Sequence, residues 1–124
     1  MQLFIFFMGK FINNKKISIY PGTILFDGKT NTNFTLKDDI SNYAYLEIFY
    51  NLHPWFGQES TRISLANSKR AHLSTVHRAN NEISMYEVDM QFKGKNVTVS
   101  GCTKVVGGAL IEQLEGSIYR VIGY

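Results

Sequence analysis

Tyr43-Ala44-Tyr45-Leu46-Glu47-Ile48-Phe49-Tyr50 is the most apolar run of the chain, and Glu47 is its only charged residue. Eight residues of aromatic and branched side chains have the length and composition of a strand rather than of a helix. A strand so uniformly apolar is expected in the middle of a sheet, covered on both faces. Turn formers bound it. Asp38-Asp39 precedes it, after the short apolar stretch Phe34-Thr35-Leu36, and Asn51 to Ser60 follows as a loop carrying Pro54 and Gly57.

Further strand-like segments lie on either side. Lys16-Ile17-Ser18-Ile19-Tyr20 alternates polar and apolar residues and runs into Pro21-Gly22. Thr23 to Phe26 ends at Asp27-Gly28, a dipeptide that signals a hairpin. Thr61 to Leu65 alternates again, whereas Ala66 to Asn81 is polar, basic and weakly patterned and reads as a long loop or a short helix. Glu82 to Phe92 places Ile83, Met85, Val88, Met90 and Phe92 in alternation, with a phase shift at Tyr86-Glu87 of the kind a β-bulge causes. Gly94-Lys95-Asn96 turns the chain into Val97 to Ser100, and Gly107-Gly108 breaks it once more. Ala109 to Leu114 fits one helical turn or a short strand, and Ser117 to Ile122 is a final strand. About eight short strands, with no internal repeat or linker, predict one all-β domain over residues 1–124. Its expected form is an antiparallel, jelly-roll-like β-sandwich. The apolar start, Met1 to Met8, is too short to cross a bilayer and lacks the basic flank of a secretory signal. Residues 1–12 are expected to be a first strand, or an apolar arm packed on a neighbouring subunit.

Composition narrows the function classes. The 124 residues carry 13 Lys plus Arg against 10 Asp plus Glu, and apolar residues reach 44% against 19% charged. That balance excludes intrinsic disorder, and the length can bury a core without metal or disulfide staples. Cys102 is the only cysteine, which excludes an internal disulfide framework and a multi-cysteine metal site; it reads as a small buried apolar residue. The net charge of +3 is mild and scattered, so nucleic-acid binding is not expected, and no stretch is long and apolar enough to predict membrane insertion.

Two stretches carry residues suited to binding. In Asn51 to Gln58, Trp55 can stack on a sugar face while His53 and Gln58 hydrogen-bond its hydroxyls. The competing reading has Trp55 and Phe56 plugging the sandwich or packing at a subunit interface. Lys69 to Arg78 gathers Arg70, His72 and Arg78, which as a patch would meet an anionic wall polymer and otherwise form a solvated loop. His72 and His77 are five apart with no carboxylate near them in sequence, so no metal site is expected. Asp38-Asp39 reads as a turn rather than a calcium loop. Glu87 and Asp89 share a strand face, but carboxylates so close in sequence do not face each other across a cleft as glycosidase pairs must. No catalytic signature is present, so no enzyme activity and no cofactor are expected.

Two groups of residues also resemble a known family. Ile24-Leu25-Phe26-Asp27-Gly28, Phe34-Thr35-Leu36 and Ile40 to Tyr50 form the first, and Ser117-Ile118-Tyr119-Arg120-Val121-Ile122-Gly123-Tyr124 the second. In order and spacing they resemble the terminal β-domain of fibre, appendage and receptor-binding virion proteins of tailed bacteriophages. The resemblance implies a β-sandwich that trimerises and stands at an exposed position on tail or head, made in the bacterial cytoplasm. Its implied partners are two further copies of itself, other tail or capsid subunits, and a host cell-wall glycan bound multivalently. The aromatic-rich composition suits the apolar flanks that a trimer buries. Those domains usually follow a shaft or anchoring region, for which this chain has no room. A stand-alone appendage, a fragment and a tip carried by another subunit each account for that. The rival functions are capsid decoration or fibre capping without receptor binding, and a cellular lectin-like module.

Overall fold

The computed structural model describes residues 9–12, 15–18, 22–53, 57–79, 81–106, 109–111 and 116–124. In chain order the strands are β1 (Gly9–Ile12), β2 (Lys15–Ser18), β3 (Thr23–Thr30), β4 (Phe34–Thr35), β5 (Tyr45–Asn51) and β6 (Glu59–Ser64). There follow β7 (Arg70–Ala79), β8 (Glu82–Lys93), β9 (Asn96–Val106), β10 (Ala109–Ile111) and β11 (Ser117–Gly123). A single 3-10 turn, Ile40–Asn42, separates β4 from β5. Met1 to Met8, Pro21, Trp55, Phe56 and Gly107-Gly108 lie outside the described residues.

Every strand pairing is antiparallel, as expected of the sandwich. One sheet has the order β3-β11-β5-β6, and the other runs β10-β9-β8-β7 with β4 also paired to β9. β1 and β2 form a small sheet of their own. β3, β4 and β5 alternate between the two large sheets, whereas β7 to β10 follow one another as a meander. Leu25, Leu46, Ile48, Ile118 and Val121 of the first sheet share one buried cluster with Leu73, Val88, Met90, Phe92 and Val97 of the second. Full burial of a large aliphatic or aromatic side chain contributes about 1.5–3 kcal/mol, so this shared layer is what holds the sheets face to face.

The Tyr43–Tyr50 run does form an interior strand, but it is not covered on both faces. In β5, Leu46, Ile48 and Tyr50 are buried while Glu47 and Phe49 are half-buried and Tyr45 is 41% exposed. The second face is the outer face of the sandwich, which no further layer covers among the described residues. The last strand, β11, lies between β3 and β5, and the Tyr124 carbonyl accepts from the Ala44 and Tyr45 amides at 2.8 and 3.1 Å. The C-terminal residue is thereby tied into the sheet instead of fraying.

Three local expectations are corrected. Asp27-Gly28 makes no hairpin: β3 runs straight through it, because β11 offers ladder partners on both sides. Ile118 faces Thr30 and Arg120 faces Asp27, so β3 has one residue more than β11 there, and the turn chemistry is spent on a bulge. Ala66 to Asn81 is neither a long loop nor a helix. Most of it is β7, a ten-residue edge strand paired along its whole length with β8. The bulge near Glu87 exists, but the extra residue belongs to β9, since Glu87 faces Thr103 while Asp89 faces Ser100. Ala109–Ile111 resolves as a strand, β10. Gly94 opens the two-residue turn between β8 and β9 at φ 60°, a conformation that glycine adopts without the cost a side chain brings.

Candidate functional site

The bulges have a consequence on the outer face of the four-stranded sheet. Arg120 sits in β11 opposite Asp27 of β3 on one side and Phe49 of β5 on the other, and the ladder is irregular at both places. With Gly28, Gln58 and Tyr119 these residues line a groove of about 190 Å³. Arg120 Nε and Nη2 both reach Asp27 Oδ1 at 3.4 Å, and the two side chains are about half exposed. Such a long, solvated pair contributes only about 0–1 kcal/mol, so ligand hydroxyls can share or replace it at little cost. A guanidinium offers donors, a carboxylate acceptors, and the Gln58 amide both. Phe49 and Tyr119 add half-buried aromatic walls. The volume falls below the about 300–1,000 Å³ of drug-sized sites and fits a small polar unit held at the surface.

Beside the groove, Glu47 is already occupied. It accepts from the Tyr124 hydroxyl at 2.8 Å, and Arg62 lies 3.7 Å from it while stacking 4.4 Å over the Tyr124 ring. The hydrogen bond to Glu47, aided by partial burial, raises the Tyr124 hydroxyl above the ordinary tyrosine range. This cluster anchors the chain terminus and is not free for a ligand.

Of the binding residues expected from the sequence, Gln58 is the one among the described residues that lines the groove. His53 is half-buried, its ring centroid 5.0 Å from that of Tyr86, and its amide bonds Asn51 Oδ1 at 2.9 Å. Trp55, two residues on, lies outside the described residues. Arg70 and Arg78 are both exposed on β7, but eight residues of strand separate them by about 26 Å, so they do not converge on one ligand.

His72 does gain the carboxylates that its sequence neighbourhood lacks. Asp89 stands directly across the β7–β8 ladder from it, and Glu87 one pair along the same face. His72 Nδ1 is 2.7 Å from Asp89 Oδ1, and Nε2 is 3.1 Å from Glu87 Oε1. Thr103 on β9 donates to the other Glu87 oxygen at 3.2 Å. Because the two ring nitrogens address different carboxylates, the three groups form an ion cluster and do not converge on a metal. The hydrogen bond that His72 donates to Asp89 is the largest cause holding the imidazolium above the ordinary histidine value of 6.5, with the Asp89 and Glu87 charges adding to it and desolvation opposing. A raised folded-state value makes this a contribution present below pH 6.5 and lost as pH rises through the folded-state value. NMR titration of the His72 ring is expected to give a midpoint above about 6.5, with Asp89→Asn bringing it down toward that value. A wild-type midpoint at or below 6.5 would show that the cluster is not formed.

Asp38 and one oxygen of Asp39 are likewise engaged in local structure. Asp38 accepts from the Asp39 amide, the Asn42 amide group and the Tyr43 hydroxyl at 2.8–3.0 Å, and Asp39 caps the 3-10 turn through the Ser41 amide at 2.9 Å. These hydrogen bonds, led for Asp38 by that from Tyr43 and for Asp39 by that from the Ser41 amide, hold both carboxyls below their ordinary range.

Sequence reasoning missed Asp27 and Arg120. The available signal was Arg120 itself, the one charged residue in the otherwise apolar closing strand, but its partner lies 93 residues away. No protein-family model matches this chain, and no curated protein matches it in sequence.

Proposed function

We propose that this chain is an exposed virion domain of a tailed bacteriophage, on a tail or head appendage, that attaches the particle to the host surface by binding saccharide in the Asp27–Arg120 groove. Three copies per tip, repeated over the particle, would turn weak single-site binding into strong avidity. One observation carries this reading. Three of the segments that resemble phage fibre domains, around Ile24–Gly28, Tyr43–Tyr50 and Ser117–Tyr124, are distant in sequence yet form the adjacent strands β3, β5 and β11. The groove is built on those strands, with Gln58 at its edge.

The test is binding to glycan arrays and to host wall fractions. Arg120→Ala and Asp27→Ala are each expected to weaken binding at least about tenfold, the cost of one hydrogen bond to a charged group. Absence of binding to every wall fraction, or binding unchanged when both residues are replaced, overturns the receptor role.

A second reading, assembly without a receptor, has its own observation. Val76, Met85 and Val105 lie side by side on the outer face of the five-stranded sheet, with Ile83 next along β8. Val76 and Ile83 are 63% and 62% exposed. Apolar side chains grouped on a face mark contact surfaces. Solution mass by light scattering addresses this part, since a trimer supports a fibre-tip assembly and a monomer counts against it.

A further inference from the structure

A larger cavity, sharing no residue with the groove, opens where three connections of the sandwich meet. It has a volume of about 400 Å³ and is lined by Asp39, Ile40, Ser41, Leu65, Lys69, Lys93 and Gly94. Its walls are fixed: the Ile40 amide donates to the Gly94 carbonyl at 3.1 Å, and the Phe92 amide to the Lys69 carbonyl at 2.9 Å. Ile40 and Leu65, 3% and 2% exposed, form an apolar floor. Lys69 precedes β7 and Lys93 ends β8, so two different elements bring an exposed ammonium group to the cavity.

We infer that this cavity binds a phosphate ester of a polyol. Lys69 and Lys93 form no ion pair among the described residues, so neither must leave a carboxylate in order to take an anion. The ammonium group of lysine is a compact charge with three donors, which suits the oxygens of a phosphate. Asp39 tells against a bare anion and in favour of one bearing a donor. One of its oxygens takes the Ser41 amide, while the other, Oδ2, lies on the Gly94 side of the cavity. A ligand hydroxyl that donates to this carboxylate converts a repulsion into a hydrogen bond, and the polyol carbons then rest on Ile40 and Leu65. The inference does not depend on the saccharide groove.

The experiment is an NMR amide titration of the whole chain at fixed pH and ionic strength, with inorganic phosphate, glycerol phosphate and a glycerol phosphodiester as probes. Saturating shifts confined to residues 39–41, 65–69 and 93–95 are expected, with at least one ester binding several-fold more tightly than inorganic phosphate. A preference for the diester assigns the ligand to a polymer chain, and a preference for the monoester to a small molecule. The double variant Lys69→Ala, Lys93→Ala should bind at least tenfold more weakly with its unfolding temperature unchanged, because both side chains are exposed and form no ion pair among the described residues. Non-saturating shifts spread over the basic residues, or equal titrations of variant and wild type, overturn the site. Inorganic phosphate binding as tightly as both esters overturns the role given to Asp39.

Discussion

Replacing Gly116 by alanine is expected to destabilise the protein by about 3 kcal/mol or more, although it adds one methyl group. Gly116 is buried immediately before β11, and a Cβ built there would collide with the Asn51 carbonyl oxygen and with Leu52 Cα. Both obstacles are backbone, so no rotamer change relieves them, and the chain must separate from the end of β5. Ser117 pairs with Asn51 one residue later, so the separation propagates into the ladder that sets the register of Tyr119 and Arg120. Urea denaturation should show a lower midpoint with an unchanged slope, and the thermal midpoint should drop by about 10 °C. Groove binding should weaken in parallel. A variant within about 1 kcal/mol of wild type would mean that the two backbones do not approach each other as described.

The elements legible in the sequence were those whose inward faces are apolar without interruption. β5 and β11 bury Leu46, Ile48, Ile118 and Val121, and the local pattern alone was enough to find them. β7 obeys the same alternation and was still missed. Ala71 and Leu73 point inward, but so, half-buried, do Thr75 and His77, while Val76 points out. An edge strand on the rim of a sandwich tolerates polar residues on its inner face, and that removes the hydrophobic signal on which a sequence reading rests. Asp27-Gly28 shows a different limit. Turn chemistry marks a departure from regular strand geometry, and whether it becomes a turn or a bulge depends on a partner strand that arrives 90 residues later. The candidate site was legible only at Gln58 for the same reason, since the Asp27–Arg120 pair exists only once β11 has been inserted beside β3. The carboxylates around His72 likewise come from the next strand.

Phe92→Ala is expected to have the largest effect of any single core truncation, about 3–5 kcal/mol. Phe92 is 2% exposed and is among the largest fully buried side chains, so truncating it leaves a large cavity inside the core. Its position magnifies the loss. It pairs with Val97 beside the β8–β9 turn, and its amide carries the hydrogen bond to the Lys69 carbonyl that fixes the start of β7. Hydrogen exchange should therefore quicken first at the amides of Phe92, Ile40 and Leu36, the last of which donates to the Lys95 carbonyl at 2.7 Å. Ile83→Ala provides the comparison: the same strand, but a side chain 62% exposed and expected to change stability by no more than about 0.5 kcal/mol. The difference between the two variants measures the burial that joins the sheets. If Phe92→Ala proved as mild as Ile83→Ala, the five-stranded sheet could not be packed on the four-stranded one through this residue, and the groove and the lysine cavity, both held in place by that packing, would lose their geometry with it.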